Sequence, residues 1–468
     1  MTETDTTVGD SSPPEAPPII PDHRAPWSWA VLAAIFCFMV YSQVVVRAPE
    51  PSTTKFDEAE SVLKLKSLMI SKHGSGATTP KGQSIFGLPT TDDSLKKLKK
   101  ELSSDSATDP EAAKLALAVD YELGAQPDTK ALALLEKSKD RSDQEFATVY
   151  KSERLDREWV MGAKVRFPKN FLGRVVFAQA LAKSGDAGAL GRMIEPRDQF
   201  GLIAIGMGGL TLVLLGFAVV VATIVGLSTG SLKPVGHPMR GLSAADADRL
   251  ALRMSIFLIL LMVVPSLVVY LLGSVILKYA AVVFGEIALA ALVFWSLKAK
   301  VLGVADPVRK LVGRTKNWSV LVLYGVIAFA GSAPITITFA LLAQNIFKDG
   351  PRPTHPLSEQ LSFGASPIAL VMMFILAAVA APLLEELSFR GMLFPALSRY
   401  IGPVWAILLS GFLFGAIHPQ GPILWAALGG IGAVSALLTY ITGSLVPSMV
   451  MHACHNAAIL TLSVVLLY

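Results

Sequence analysis

Near the end of the chain, inside runs otherwise built from Leu, Ile, Val, Ala and Phe, stand Glu385, Glu386, Arg390, His418, His452, His455 and Asn456. An ionised side chain at the centre of a membrane helix costs about 2.5–3.5 kcal/mol on insertion scales, so polar groups in such runs are candidates for function. Helical geometry sorts them. At about 100° per residue Glu386 and Arg390 are an i, i+4 pair on one face and suit mutual neutralisation, while Glu385 points about 100° away and is left available. His452 and Asn456 are also i, i+4 and form a polar couple; His455 points roughly 60° to the other side and reads as interhelical hydrogen bonding. His418 ends its own run, with Phe414 one turn earlier to pack around it.

If the three helices converge, one carboxylate, two imidazoles and one carboxamide meet where lipid offers no solvation. A carboxylate and an imidazole can share a water and strip its proton as it attacks a carbonyl, and an imidazole with a carboxamide donor can stabilise the oxyanion that forms. Glu385, His418 and His452 could instead hold a divalent ion such as zinc with an open position, lowering the pKa of a bound water toward about 7. Either route hydrolyses an amide. The spacing leaves zinc and no cofactor both open, since no H-E-x-x-H helix is present. The alternative function is a proton-coupled membrane transporter, or a noncatalytic membrane receptor, with the buried Glu and His as an ion relay. Glu286, alone in an earlier apolar run, speaks for a relay; the lack of a mirrored second Glu/His set speaks against it. Gly226-Leu227-Ser228-Thr229-Gly230 matches G-x-S-x-G, but it ends an apolar helix and has no strand-to-helix elbow. His237, in the loop beyond, reads as solvated.

Three motifs now carry a resemblance. Glu385-Glu386-Leu387-Ser388-Phe389-Arg390 looks like E-E-x-x-x-R, Phe414-Gly415-Ala416-Ile417-His418 like F-x-x-x-H, and His452-Ala453-Cys454-His455-Asn456 like H-x-x-x-N. In this order they resemble the CPBP family, the CAAX-protease and bacteriocin-processing intramembrane proteases also called Abi proteins, related to the type II CAAX prenyl endopeptidase. The resemblance extends over roughly 367–468. It implies an intramembrane endopeptidase in which Glu385 activates water together with His418, His452 and Asn456 bind the oxyanion, and Glu386 with Arg390 holds the helix. Family members are described both as metalloproteases and as glutamate-dependent enzymes without a metal. The large insert at 47–199 and the extra early spans depart from the simplest members, so the substrate need not be a prenylated C-terminus. It is a membrane-embedded or membrane-associated protein or peptide.

The elements that must position these residues follow from composition. With 52% hydrophobic and 16% charged residues, the chain is too apolar for a soluble protein, and the lipid bilayer is its solvent. The net charge of +5 arises mainly from loops between apolar runs, which argues for lipid headgroups rather than nucleic acid as the anionic partner. Cys37 and Cys454 both lie in apolar runs, so neither a disulfide framework nor a thiolate cluster is expected.

The expected fold is all-α: a polytopic transmembrane bundle of about nine spans with a helical extramembrane insert after the first. Residues 1–25, rich in Pro, Thr and acid, read as a disordered tail. Residues 26–46 read as a signal-anchor helix, 47–199 as a mostly helical extramembrane domain, 200–347 as transmembrane helices and 348–468 as the catalytic transmembrane core. The spans are 27–46, 201–227, 254–277, 280–297, 318–347, 367–389, 404–418, 423–441 and 445–467. Within the insert, Asp109-Pro110 marks a helix start, with apolar stripes at Ala113, Leu115, Leu117 and Ala118 and again at Leu132, Leu134 and Leu135; 71–94 reads as a loop. Basic loops at 229–253 and 298–317 belong in the cytoplasm, which places 47–199 outside it, in a bacterial inner membrane.

Overall fold

The computed structural model describes residues 24–45, 91–103, 105–164, 167, 171–186, 189, 196–239, 241–272, 275–298, 311, 317–346, 367–418 and 422–467. Residues 1–23 of the expected tail, 71–90 of the expected loop at 71–94 and nearly all of the basic loop at 298–317 lie outside the described residues; Arg24 and Ala25 of the tail are bonded to Asp248, and Thr91–Ser94 begin a helix rather than ending a loop. Every regular element among those described is helical.

After α1 (Trp27–Val45), six short helices follow: α2 (Thr91–Leu102), α3 (Pro110–Glu122), α4 (Thr129–Glu136), α5 (Arg141–Lys151), α6 (Arg157–Ala163) and α7 (Phe171–Lys183). Their starts are written in aspartates. Asp109, Asp128, Asp140 and Asp156 each take extended backbone and accept the amides of Glu111, Lys130, Ser142 and Trp159, satisfying donors that a helix start leaves open. The expected first stripe is buried, and of the second Leu135 is buried with Ala131 at i, i+4, while Leu132 and Leu134 are only partly covered. Leu95, Leu98, Phe146 and Phe177 join them in a separate core.

The apolar half comprises α8 (Pro196–Ser228), α9 (Ala244–Leu271), α10 (Val275–Lys298), α11 (Trp318–Ile346), α12 (Pro367–Ile375), α13 (Ala381–Ser388), α14 (Phe394–Ala416), α15 (Pro422–Thr442) and α16 (Val446–Leu467). π-helical turns Leu376–Ala380 and Phe389–Leu393 flank α13. The count of about nine crossings is not confirmed. Among the described residues five helical runs are long and apolar enough to cross a membrane, 207–228, 244–268, 318–339, 367–416 and 424–442, and 27–42 and 280–295 are shorter apolar helices. The run 367–416 had been expected as two spans; it is continuous helix apart from Gly402, whose φ of 76° breaks it just before Pro403. α9 begins ten residues earlier than hydropathy indicates, because Ser243 caps the amide of Asp246 and carries the helix through a charged first turn. The split from α10 falls at Leu272, which is extended, rather than at 278–279.

Two packing features fix the site. α14 and α15 meet along a glycine seam: a Cβ on Gly415 would overlap the Trp425 carbonyl, and one on Gly411 would come within 2.6 Å of the Ala433 amide. Phe414 and His418 sit on or beside this seam, so their depth depends on it. Gly415→Val is expected to force the helices apart and cost about 1–3 kcal/mol, as overpacking does, read as a lower melting temperature in detergent. The second feature is a knot around buried Asp248 of α9. Its carboxylate accepts from Arg24 Nε at 2.9 Å, the Ala25 amide at 3.0 Å, Trp29 Nε1 at 3.0 Å and the Tyr400 hydroxyl at 2.8 Å. Ser28 Oγ adds a bond to the Asp248 carbonyl, and the Trp29 and Tyr400 rings meet edge to face. The starts of α1 and α9 and the end of the segment before Gly402 therefore share one face of the bundle.

Candidate active site

α13 carries Glu385 and Glu386, and two prolines shape both its ends. In the first π turn the Ala381 amide reaches back five residues to the Leu376 carbonyl. The next amide in line would come from Pro382, which has none, so the Ala377 carbonyl lacks a helical donor. Asn456 Nδ2 supplies one at 2.8 Å. The second π turn repeats the pattern. The Phe394 amide reaches the Phe389 carbonyl, Pro395 has no amide to follow it, and the Arg390 carbonyl is filled by His237 Nε2 at 2.7 Å. His237 Nδ1 accepts the Met239 amide at 3.0 Å, so the proton sits on Nε2. The expectation of a solvated His237 is therefore wrong: it is buried, edge to face with Phe394. A histidine between Gly236 and Pro238 reads as an exposed turn because nothing local shows the carbonyl it serves.

Burial pushes the His237 imidazole down to about 4, the Arg390 carbonyl opposing the shift only in part. The folded state thus binds this proton more weakly than the unfolded chain. The stability tied to neutral His237 is fully present above about pH 6.5 and is lost as pH falls toward 4, amounting to roughly 3 kcal/mol at about 1.4 kcal/mol per pKa unit. Unfolding at pH 7.5 and at 4.5 should separate wild type from His237→Gln by a difference of this sign.

Above this frame runs a chain of charged and polar groups. Arg390 Nε lies 3.2 Å from Glu386 Oε2, off the hydrogen-bond direction but within ion-pair range, and its NH2 donates to the Gly432 carbonyl of α15 at 2.7 Å. Glu386 Oε1 meets His452 Nδ1 at 3.0 Å. His452 Nε2 then faces Glu385 Oε2 at 3.7 Å, beyond hydrogen-bond length. Glu386 is thus committed to Arg390, as the i, i+4 spacing predicts, and also to His452, which spacing cannot show. The side chain of Glu386 is 0% exposed and that of Glu385 18%, so Glu385 is the carboxylate a water can reach. His452 and Asn456 share a face, as expected, but each binds the 376–390 segment.

Phe414 stands at the centre. Its ring lies 4.8 Å from His418, 5.5 Å from His452 and 5.2 Å from Phe389, with the Arg390 guanidinium 4.7 Å over its face. His418 Nδ1 donates to the Phe414 carbonyl at 2.6 Å, which fixes the ring and leaves Nε2 as an acceptor. His418 lies within electrostatic range of Glu385 and His452. Of the polar residues singled out above, the structure brings together Glu385, Glu386, Arg390, His418, His452 and Asn456, with Phe414 among them; His455 is half-buried on the helix of His452. Among the described residues no three His, Cys, Asp or Glu side chains are grouped to hold a metal ion, so Glu385, His418 and His452 make no ready metal set.

Glu286 joins the site from α10. It lies on a stripe with Val283, Ala290, Val293 and Leu297, which are buried, and the last three pack in one cluster with Leu384 and Leu387 of α13. Glu286 interacts electrostatically with Glu385, and each carboxylate has a buried Oε2 without a hydrogen-bond partner. Its 3, 4, 3, 4 spacing was a visible signal for this placement. Glu286 also borders an apolar cavity of about 330 Å³ between α9 and α10. Ser228 of the G-x-S-x-G match is exposed and donates to the Val225 carbonyl of its own helix, as a helix end does.

Residues 367–458 match the family model described as type II CAAX prenyl endopeptidase Rce1-like. The match relates this C-terminal segment to the CAAX protease family, a family of membrane proteases. No curated protein and no solved structure matches the chain.

Proposed function

We propose that the C-terminal helices form the core of an intramembrane endopeptidase that hydrolyses a peptide bond in a membrane-associated protein or peptide. The observation that carries this reading is His452 bridging a buried, Arg390-paired glutamate on one nitrogen and the reachable Glu385 on the other. Glu385 takes a proton from a water, with the free Nε2 of His418 as the second acceptor that orients it. The water oxygen attacks the scissile carbonyl. His452 gives Nδ1–H to Glu386 and, when Nε2 is protonated as well, donates Nε2–H to the oxyanion; the Asn456 proton not bound to Ala377 adds a second donor. The proton held by Glu385 then passes to the departing amine.

Membranes from cells expressing wild type, Glu385→Gln and His452→Ala provide the test. Both variants should accumulate the same uncut membrane proteins; unchanged cleavage profiles from folded variants would sink the proposal. Metal analysis of the purified full chain should find no stoichiometric ion, and an ion lost on His418→Ala would replace glutamate chemistry by a metal-activated water.

A further inference from the structure

We propose that His237, from the loop between α8 and α9, is a positioning residue of this site: it holds the Arg390 backbone so that the guanidinium meets Glu386, which in turn orients His452. The inference deepens the peptidase reading and rests on it for its catalytic consequence.

Arg390 needs an external hold. It lies inside a π turn, its carbonyl is deprived of a helical donor by Pro395, and Gly391 follows it. The ion pair above depends on where that backbone sits, since only one turn of helix separates Arg390 from Glu386. Asn456 performs the equivalent service for Ala377 at the other end of α13, so the two freed carbonyls are closed by two side chains distant in sequence. His237 is itself well fixed. The Val235 and Gly236 amides donate to the Ile441 and Tyr440 carbonyls at 3.0 and 2.9 Å, the Met239 amide sets its tautomer, and Phe394 sets its ring plane. A chain of short contacts thus runs from the loop through Arg390 and Glu386 to His452, whose Nε2 faces Glu385 at 3.7 Å. His237 lies outside the segment 367–458 that matches the family model.

A merely structural histidine would be replaceable by any side chain that fills its volume; a positioning one requires a donor on the Arg390 carbonyl. His237→Leu fills the space without a donor, and His237→Gln places an amide N–H near the original Nε2. Pro395→Ala combined with His237→Leu returns a backbone amide that can reach the Arg390 carbonyl at i+5. Should His237→Leu not insert stably, His237→Asn, whose amide stops short of the carbonyl, takes its place.

The first readout is independent of cleavage: the downfield proton of the His452 Nδ1–H to Glu386 bond, observed by NMR on the full-length protein with labelled histidine in liposomes and assigned by its loss in His452→Ala. It should move in the donor-free variant and return in His237→Gln and in the Pro395→Ala double variant. Turnover of the membrane proteins left uncut by Glu385→Gln should fall by up to about a hundredfold and recover in parallel, as small misplacements of catalytic groups do. A His452 signal unchanged in the donor-free variant, or displaced equally in His237→Gln, overturns the proposal. If the signal follows His237 while cleavage is indifferent to Glu385, the peptidase reading fails and the positioning role stands.

Discussion

Glu385→Gln is expected to lower turnover by about 10²- to 10⁴-fold, the range that a positioned general base contributes, while raising the melting temperature. The rate falls because the amide cannot accept the water's proton, although its size and reach match the carboxylate. The stability gain follows from Glu385 Oε2, which is buried without a hydrogen-bond partner and interacts electrostatically with Glu286, whose Oε2 is also buried without one. A neutral amide in place of a buried carboxylate with an unsatisfied oxygen lowers the desolvation cost that the fold otherwise sustains for chemistry. Parallel kinetic and thermal measurements on the purified full chain check both halves. A variant that is both active and destabilised would show that Glu385 is a packing residue.

Arg390→Leu is expected to be the most destabilising single change in the bundle, at about 3–5 kcal/mol, the cost of leaving one member of a buried ion pair without its partner. Arg390 and Glu386 are both 0% exposed, and no water can replace the guanidinium. The change also removes the bond to the Gly432 carbonyl and the charge over Phe414. Glu386→Leu combined with Arg390→Leu should cost less than the sum of the single changes, with a coupling of about 1–3 kcal/mol in a double-mutant cycle. Activity should not return in the double variant, because His452 Nδ1 has lost the carboxylate that orients it.

Much of the site was legible because helical spacing is a local property. The i, i+4 relation put Glu386 with Arg390, which form an ion pair, and His452 on one face with Asn456, where each bonds to a different residue of the 376–390 segment. What each side chain faces on another helix depends on register and rotation, which spacing does not contain; hence the bond from His452 to Glu386 and that from Asn456 to Ala377 were not foreseen. Pro382 and Pro395 were in plain view, each five residues after the carbonyl it leaves open, but the count matters only once the turn is known to be π rather than α. The fold was legible in class and less so in its limits. Hydropathy ends where charge begins, whereas a helix ends where its capping does, and α9 extends through Asp246, Asp248 and Arg249 for that reason. Asp248 is a junction of four donors, which its place in that charged turn does not show.

That junction has a consequence for how the molecule is made. Arg24 bonds to Asp248, 224 residues later, and to Tyr400, 376 residues later. A chain emerging from the ribosome inserts its first helix long before either partner exists, and contacts of such separation close late because the intervening loop must be ordered first. Asp248 stays without its full set of donors until Tyr400 has been synthesised, and His418, His452 and Asn456 come later still. In a nascent or truncated chain the junction is therefore incomplete, and the polar cluster assembles only when the helix carrying His452 and Asn456 has been made.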